Sequence, residues 1–293
     1  MQTGNDCLVC FLRQALATVR RSTDAPEQHW QLTAEVGALL GGFDPRIPPP
    51  ENAVHYYRQI AQRTGVSDPY RTEKQESNAY ALGLEARTRK LIGKESDPLL
   101  AAMQFAINAN VLDDGAQYRL DREEALASCR QPLVVNHYPV LRQRILEKTN
   151  ILYLADNCGE IVFDKLLVER LLAEGCRVTV AVRHSPIIND ATLEDAVGCG
   201  LDRLCPVISN GADVPGTPLS SCSEDFRRRF NEADCIISKG MGNFECLSEV
   251  RAPLFFLFIV KCTTVLNYLR CRFPENGLRI GSPVLLQGGL TET

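Results

Sequence analysis

The sequence lacks an excess of positive charge and any long hydrophobic run. Its 36 Asp and Glu residues outnumber its 32 Lys and Arg residues, which gives a formal net charge of −4. Binding to nucleic acid normally needs a clustered basic surface, so a nucleic-acid partner is not expected. The longest apolar segment is PLFFLFIV at 253–260. It is too short to cross a bilayer, which takes about 20 residues, so a membrane partner is not expected either.

The N-terminus also lacks the basic start and apolar stretch of a secretory signal. The chain has 12 cysteines, but Cys235, Cys246 and Cys262 lie in or beside apolar segments, where a free thiol packs as a small hydrophobic group. We therefore expect a cytoplasmic protein. Cys7 and Cys10 form a single CxxC, and without a second pair a four-thiolate zinc site is not indicated. A redox pair, an accessory metal contribution and simple packing stay open for them.

The two halves of the chain differ in their hydrophobic pattern. Residues 5–147 repeat apolar side chains at spacings of three and four, which is typical of amphipathic helices. From residue 150 onward, short β-branched runs alternate with helices of about 10–15 residues, which indicates βαβ units and a buried parallel sheet. We predict an α/β fold with a helical N-terminal subdomain at 1–148. A Rossmann-like, three-layer core with a parallel sheet follows at 149–293, and this second domain binds metal and phosphate.

Polar side chains follow several of the predicted strands. Because the carboxyl ends of parallel strands line one edge of a sheet, where ligands bind, we expect these side chains to meet. The set comprises Asp156, Asn157, Asn189, Asp190, Lys239 and Lys261.

Three of these residues suit a hard divalent cation. Carboxylate and amide oxygens from Asp156, Asn157 and Asp190 form the oxygen-rich shell that Mg²⁺ and Mn²⁺ favour. Glu160, at the start of the next helix, is placed to accept a proton or orient a water. The structural alternative is that both aspartates cap helices and Glu160 complements a helix dipole.

The segment KGMGN at 239–243 suits a phosphate group. Lys239 supplies a positive charge, Gly240 permits close backbone approach and Asn243 supplies a directional hydrogen bond. The segment is not a Walker loop, and it lacks the third glycine of a dinucleotide-binding fingerprint. Lys261 ends an apolar strand, where a lysine rarely lies without a partner. It is either a phosphate contact or a salt-bridged structural lysine.

Six motifs in order resemble the metal-dependent damage-control phosphatase family, formerly a domain of unknown function with an acidic-residue methyltransferase-like branch. They are CLVC at 7–10, DPYRTEKQESN at 68–78, DNCGEIVFD at 156–164, PIIND at 186–190, KGMGNFE at 239–245 and the pair KC at 261–262. They span nearly the whole chain, and the CxxC resembles the stand-alone microbial branch.

The resemblance implies an α/β fold whose active site lies at the carboxyl edge of the sheet. It implies a divalent metal at Asp156, Asn157 and Asp190, with phosphate contacts at 239–243 and Lys261. Where the family tends to show GNxxD, this chain reads ANVLD at 109–113. Asn110 and Asp113 are therefore second-tier substrate-binding candidates.

Together these features predict a metal-dependent phosphoric monoester hydrolase acting on sugar phosphates or related damaged or surplus metabolites, with Mg, Mn, Co or Ni as cofactor. The catalytic residues are Asp156, as nucleophile or base, and Glu160. One alternative is a metal- or nucleotide-sensing module that uses the cysteine pair as a switch. Another is a carboxyl methyltransferase, although no glycine-rich loop of that type follows the first strand. The expected partner is a small phosphate ester, and the sequence leaves protein partners open.

Overall fold

The N-terminal half is helical, as its hydrophobic spacing predicts. The structure is a computed structural model that describes residues 1–109, 122–274 and 277–289. The α-helices described within residues 1–148 are α1 (Asn5–Ser22), α2 (Pro26–Leu39), α3 (Pro49–Thr64), α4 (Arg71–Ile92), α5 (Pro98–Asn108), α6 (Arg122–Ser128) and α7 (Tyr138–Leu146). Sequence signals set some of these bounds. Asp97 caps α5 by accepting the Leu100 N–H, and Gly65 ends α3 with φ of 73°.

The described part of the chain contains one seven-stranded sheet. Its strands are β1 (Val135–Asn136), β2 (Asn150–Leu154), β3 (Arg177–Val182), β4 (Val207–Ser209), β5 (Cys235–Lys239), β6 (Leu254–Ile259) and β7 (Pro283–Gln287). Their order is β1-β7-β6-β5-β2-β3-β4. All neighbours pair in parallel except β6 and β7, which are antiparallel. The α/β fold is thus confirmed, with an antiparallel strand and the two-residue β1 added to the predicted parallel core.

The later helices connect these strands and cover both faces of the sheet. They are α8 (Glu160–Ala173), α9 (Leu193–Gly198), α10 (Glu224–Glu232), α11 (Met241–Leu247) and α12 (Thr263–Arg272). One core packs α4, α5 and α8 on the first face, with Phe105 and Phe163 at its centre. The other core packs α10, α11 and α12 on the second face, around Phe226 and Phe244. Since α4 and α5 share a core with the sheet, the helical half is integrated with it; the division at residue 148 stays a prediction.

The strand order places a crevice at the middle of the sheet. From β2 the chain proceeds to β3 and β4 on one side, and later to β5 and β6 on the other. In such sheets a ligand site forms outside the carboxyl ends of the two strands where the order reverses, here β2 and β5. Helices α1, α2 and α3 form a third cluster around Phe11 and Tyr56, beside this edge. No described helix has the length and apolarity needed to cross a membrane.

Candidate active site

The end of β2 presents Asp156 and Asn157 at the crevice. Both residues are buried, at 7% and 6% exposure. Gly159 follows with φ of 78°, a backbone conformation that favours glycine, and α8 begins at the next residue. The Gly159 N–H donates to the Asn78 side-chain oxygen at 2.7 Å. Asp156 does not cap α8, because its N-cap is Gly159 without any side-chain cap.

The loop after β3 is fastened to the end of β2 by main-chain hydrogen bonds. The Cys158 N–H donates to the Asn189 carbonyl at 2.9 Å, and the Ala191 N–H donates to the Asp156 carbonyl at 2.8 Å. Between these bonds, Asn157 and Asp190 form an isolated β-bridge. The three predicted metal ligands therefore lie together. Asp190 does not cap α9 either, since Thr192 holds that position in a capping box.

Arg183 joins the two aspartates. Its guanidinium donates to Asp190 Oδ2 at 2.6 Å, to Asp156 Oδ1 at 3.3 Å and to Thr217 Oγ1 at 3.1 Å. The arginine is 1% exposed, so this is a fully buried ion triad. We did not predict Arg183 from the sequence, although it follows β3 directly and the strand-end rule that selected the aspartates would have found it.

The two carboxylates are short of positive charge. Burial, reinforced by Asp190 and Glu160, raises the pKa of Asp156 to about 8, while Arg183 and Lys261 oppose that rise. Burial also raises the pKa of Asp190, and Arg183 opposes it. An added cation would relieve this deficit.

The donor set fits a hard divalent ion. Arg183 occupies one oxygen of each aspartate, and the structure gives no donor to Asp156 Oδ2, Asp190 Oδ1 or Asn157 Oδ1 among the residues it describes. Two carboxylates and an amide are typical ligands of Mg²⁺ or Mn²⁺, which keep other positions for water or substrate. No three His, Cys, Asp or Glu side chains of the described ranges form a metal-binding group, and the third member of this donor set is the Asn157 amide.

Lys239 and Glu160 belong to a buried network behind the site. Lys239 donates to Glu160 Oε2 at 3.0 Å and to Asp164 Oδ1 at 2.7 Å, and Tyr153 also donates to Asp164 at 2.8 Å. Burial opposes the charge of Lys239, but Asp164 and Glu160 outweigh it and raise its pKa. Glu160 accepts from the Asn157 amide at 3.2 Å. In this structure neither Lys239 nor Glu160 lies on the cavity wall.

Asn243 and Gly240 also act inside the fold. The Asn243 amide donates to the carbonyls of Ala155 and Lys239 at 3.2 and 2.7 Å, and its oxygen accepts from Thr217 at 2.7 Å. A Cβ on Gly240 would lie 1.9 Å from Asp156 Oδ2, so the backbone approach allowed by this glycine is to Asp156. Lys239, Gly240 and Asn243 thus make their contacts inside the fold, whereas Met241 and Gly242 of the same segment line the cavity. The phosphate contact at 239–243 stays a prediction.

A cavity of about 310 Å³ opens over the aspartates. Besides Asp156, Asn157 and Asp190, it is lined by Lys261, which lies two residues beyond β6 and is exposed. Lys261 makes no salt bridge with any residue that the structure describes, and its role, as a phosphate contact or as a structural lysine, stays a prediction. The two second-tier candidates, Asn110 and Asp113, lie outside the described residues.

The CxxC pair also lines this cavity, from the first turns of α1. Burial raises the pKa of the Cys7 thiol, which disfavours a nucleophilic role for it, whereas Cys10 is exposed. The aromatic wall next to them, from Phe11, Tyr56 and Tyr57, was not predicted, because these rings come from helices whose apolar spacing indicates only a core.

The chain is similar to proteins of one family along most of its length. Residues 3–273 match the model of the damage-control phosphatase ARMT1-like domain. A damage-control phosphatase of Pyrococcus horikoshii is 30% identical over 275 residues, which cover 92% of this chain and 95% of that protein. One from Archaeoglobus fulgidus is 29% identical over 267 residues, covering 88% and 92%. The crystal structure of a P. horikoshii DUF89 family protein has a TM-score of 0.87 at 29% identity, covering 98% of this chain and 99% of that one.

Proposed function

This chain belongs to the ARMT1-like damage-control phosphatase family, and we propose that it hydrolyses small phosphate monoesters with a divalent cation held by Asp156, Asn157 and Asp190. Phosphatase activity on damaged metabolites is the activity of the family. The metal requirement, the monoester chemistry and the residue roles are our proposal. The observation that carries it is a pair of buried aspartates that share one guanidinium and leave oxygens unbonded at a cavity.

In the proposed reaction the bound ion and the side chains have different roles. The ion would neutralise charge on the phosphoryl group and make phosphorus more electrophilic. Lys261 supplies an ammonium group to the same cavity, where it can hold a phosphoryl oxygen. Arg183 keeps the two aspartates in register, and Asn157 is held by its hydrogen bond to Glu160. Phosphoryl transfer depends mainly on such positioning and charge, so these groups suffice for the reaction class.

Two routes are open to Asp156. In the first, its carboxylate attacks phosphorus, the ester P–O bond breaks, the alcohol leaves with a proton, and water then hydrolyses the aspartyl phosphate. In the second, water attacks phosphorus directly and Asp156 accepts a proton of that water, while the ester P–O bond breaks and the alcohol leaves with a proton from solvent. Only the first route forms a phosphorylated aspartate on the enzyme. Acid quenching during turnover should yield a phosphorylated Asp156 peptide by mass spectrometry on the first route and none on the second.

The metal requirement is tested by assaying phosphate release from a panel of sugar phosphates and other monoesters. After chelation we expect no release, and addition of Mg²⁺, Mn²⁺, Co²⁺ or Ni²⁺ should restore it. Asp190→Asn should lose at least about a hundredfold in kcat/KM because one charged ligand is removed. Asp213→Asn is the matched control, since Asp213 forms a surface pair with Arg58. Full activity in chelator, or in folded Asp190→Asn protein, would contradict the proposal.

A further inference from the structure

Glu245 is a carboxylate of the cavity wall that the proposed chemistry does not use. It lies on α11, in the motif that also contains Lys239, and lines the cavity with Met241 and Cys262. Its main-chain carbonyl accepts from the Met1 ammonium at 2.9 Å. Its carboxylate, by contrast, forms no hydrogen bond or salt bridge with the residues described in the structure. A half-buried carboxylate that lines a ligand cavity and has no partner among the described residues is available to accept a hydrogen bond from a ligand.

The charges around the cavity limit what that ligand carries. Four carboxylates line it, from Asp6, Asp156, Asp190 and Glu245, whereas Lys261 is the single cationic side chain among the described lining residues. Asp6 already accepts a hydrogen bond from Thr263 at 2.5 Å. One phosphate group, placed at the two aspartates with their cation, uses the available positive charge. A second phosphate would find no further cation among the lining residues that the structure describes, and one near Glu245 would be repelled.

We propose that Glu245 is a specificity-determining residue that accepts a hydrogen bond from a donor on the non-phosphate part of the substrate. An ammonium donor is preferred over a hydroxyl donor, and substrates with a second phosphate are disfavoured. This inference rests on the proposed function. Aromatic and proline side chains line the space between α1 and α3, so the body of the substrate has an apolar face to pack there.

The electrostatics of Glu245 agree with a cationic donor. Burial raises the pKa of its carboxyl to about 7, against a weaker effect of the Met1 ammonium. Because the carboxylate has lost part of its hydration without gaining a partner, a charged donor would restore more of the lost interaction than a neutral one. Charge-assisted hydrogen bonds are roughly twice as strong as neutral ones.

The preference of Glu245 for an ammonium donor can be tested with flexible substrates, because their length can be varied until the donor reaches the carboxylate. Three series of alkyl monophosphates of increasing chain length end in an amine, a hydroxyl or a second phosphate. At the chain length that reaches Glu245, we expect kcat/KM to be about tenfold higher for the amine than for the hydroxyl, as one hydrogen bond to a charged group provides. The bisphosphate should be hydrolysed more slowly than either.

Glu245→Gln should remove the preference for the amine through an increase in KM, with kcat nearly unchanged, because the contact is away from phosphorus. It should also reduce the discrimination against the bisphosphate. Glu249→Gln is the matched control, since it removes the same charge from an exposed site near Met1. Its preferences should equal those of the parent protein.

Equal rates for amine and hydroxyl at every length, or an unchanged preference in folded Glu245→Gln protein, would overturn the inference while leaving the phosphatase proposal intact. Failure of the parent protein to release phosphate from any monoester with any of the four metals would instead remove the proposed function, and the inference with it.

Discussion

Single residues fix the position of Asp156 from two sides. Gly240 lies directly beneath it, with φ of 78° and no room for a side chain. Arg183 holds its other oxygen. The aspartate therefore has little freedom to move, which is what a metal ligand or a nucleophile needs.

We expect Gly240→Ala to lower kcat/KM by at least about a hundredfold, because its Cβ would displace the Asp156 carboxylate and small misplacements have effects of that size. The matched control is Gly281→Ala. Gly281 has φ of 89° and no heavy atom within 4 Å of its Cβ position. It should show the same backbone strain, about 1 kcal/mol, with full activity. Equal activity losses in both variants would contradict this explanation.

The buried guanidinium of Arg183 should also be important for stability. Arg183→Met leaves two buried carboxylates without their cation, so we expect the free energy of unfolding to fall by about 3–5 kcal/mol in denaturant titrations. Arg58→Met, which breaks an exposed pair with Asp213, should change it by about 0–1 kcal/mol. Comparable effects would mean that the Arg183 triad is not a structural centre.

At this scale the sequence predicts which residue types meet but not how they are oriented. Asp156, Asn157 and Asp190 were predicted to meet because the first two follow β2, Asp190 lies in the loop after β3, and parallel topology brings strand ends together. Lys239 also ends a strand, yet its side chain enters the packing between β5 and α8. Whether a side chain at a strand end faces the crevice or the core depends on the neighbouring helix, which the sequence does not position.

At the scale of elements, Lys239 connects a strand to a helix. It ends β5, and its partners Glu160 and Asp164 lie on the first turns of α8. Burial raises the pKa of Asp164 to about 6, and Lys239 opposes this rise. The connection holds α8 in place behind Asp156 and Asn157.

Lys239→Met should therefore lower the free energy of unfolding by about 3–5 kcal/mol, because it removes the buried ammonium that balances the charge of the Glu160 and Asp164 carboxylates. Combining it with Asp164→Asn should recover part of that loss. Inhibition by inorganic phosphate at low temperature distinguishes this role from a phosphate contact. We expect Lys261→Met to weaken the inhibition and folded Lys239→Met to retain it. If Lys239→Met weakened the inhibition and Lys261→Met retained it, Lys239 would be the residue that contacts phosphate.

Elements with a strong pattern were well predicted. The five strands β2 to β6 and the helices between them lie where apolar runs alternate with amphipathic segments. Two strands, β1 and β7, were not predicted, each for a different reason. Val135–Asn136 is too short to show any pattern, and Pro283–Gln287 is added antiparallel to an edge by long-range pairing. In the N-terminal half the hydrophobic pattern predicted the helices, but it did not predict that α4 and α5 pack in the core against the sheet.

At the scale of the whole molecule, pH and metal should act together on stability. The folded-state pKa of Asp156, about 8, is above its ordinary value of 3.8. Protonated Asp156 therefore stabilises the folded protein. This contribution to the free energy of unfolding is fully present below pH 3.8 and is lost as the pH rises through about 8. The groups that face this carboxyl are Asp190, Glu160, Arg183 and Lys261.

We therefore expect the metal-free protein to lose stability as pH rises, and Mn²⁺ to offset the loss by binding the deprotonated site. The increase in Tm on adding Mn²⁺ should grow between about pH 6 and about pH 8.5. Asp190→Asn should show a much smaller increase at the higher pH. A metal-induced shift that is independent of pH would contradict a site built on these carboxylates.

Every role proposed for this site depends on Asp156, Asn157 and Asp190 binding the same cation. A crystal structure of the Mn²⁺-loaded protein, with anomalous scattering to locate the metal, would show whether they do. We predict a single strong peak at the cavity floor, with oxygens of all three side chains at about 2.0–2.3 Å. A peak bound by other side chains, such as the Cys7 and Cys10 thiols, or no peak between the two aspartates, would contradict the account.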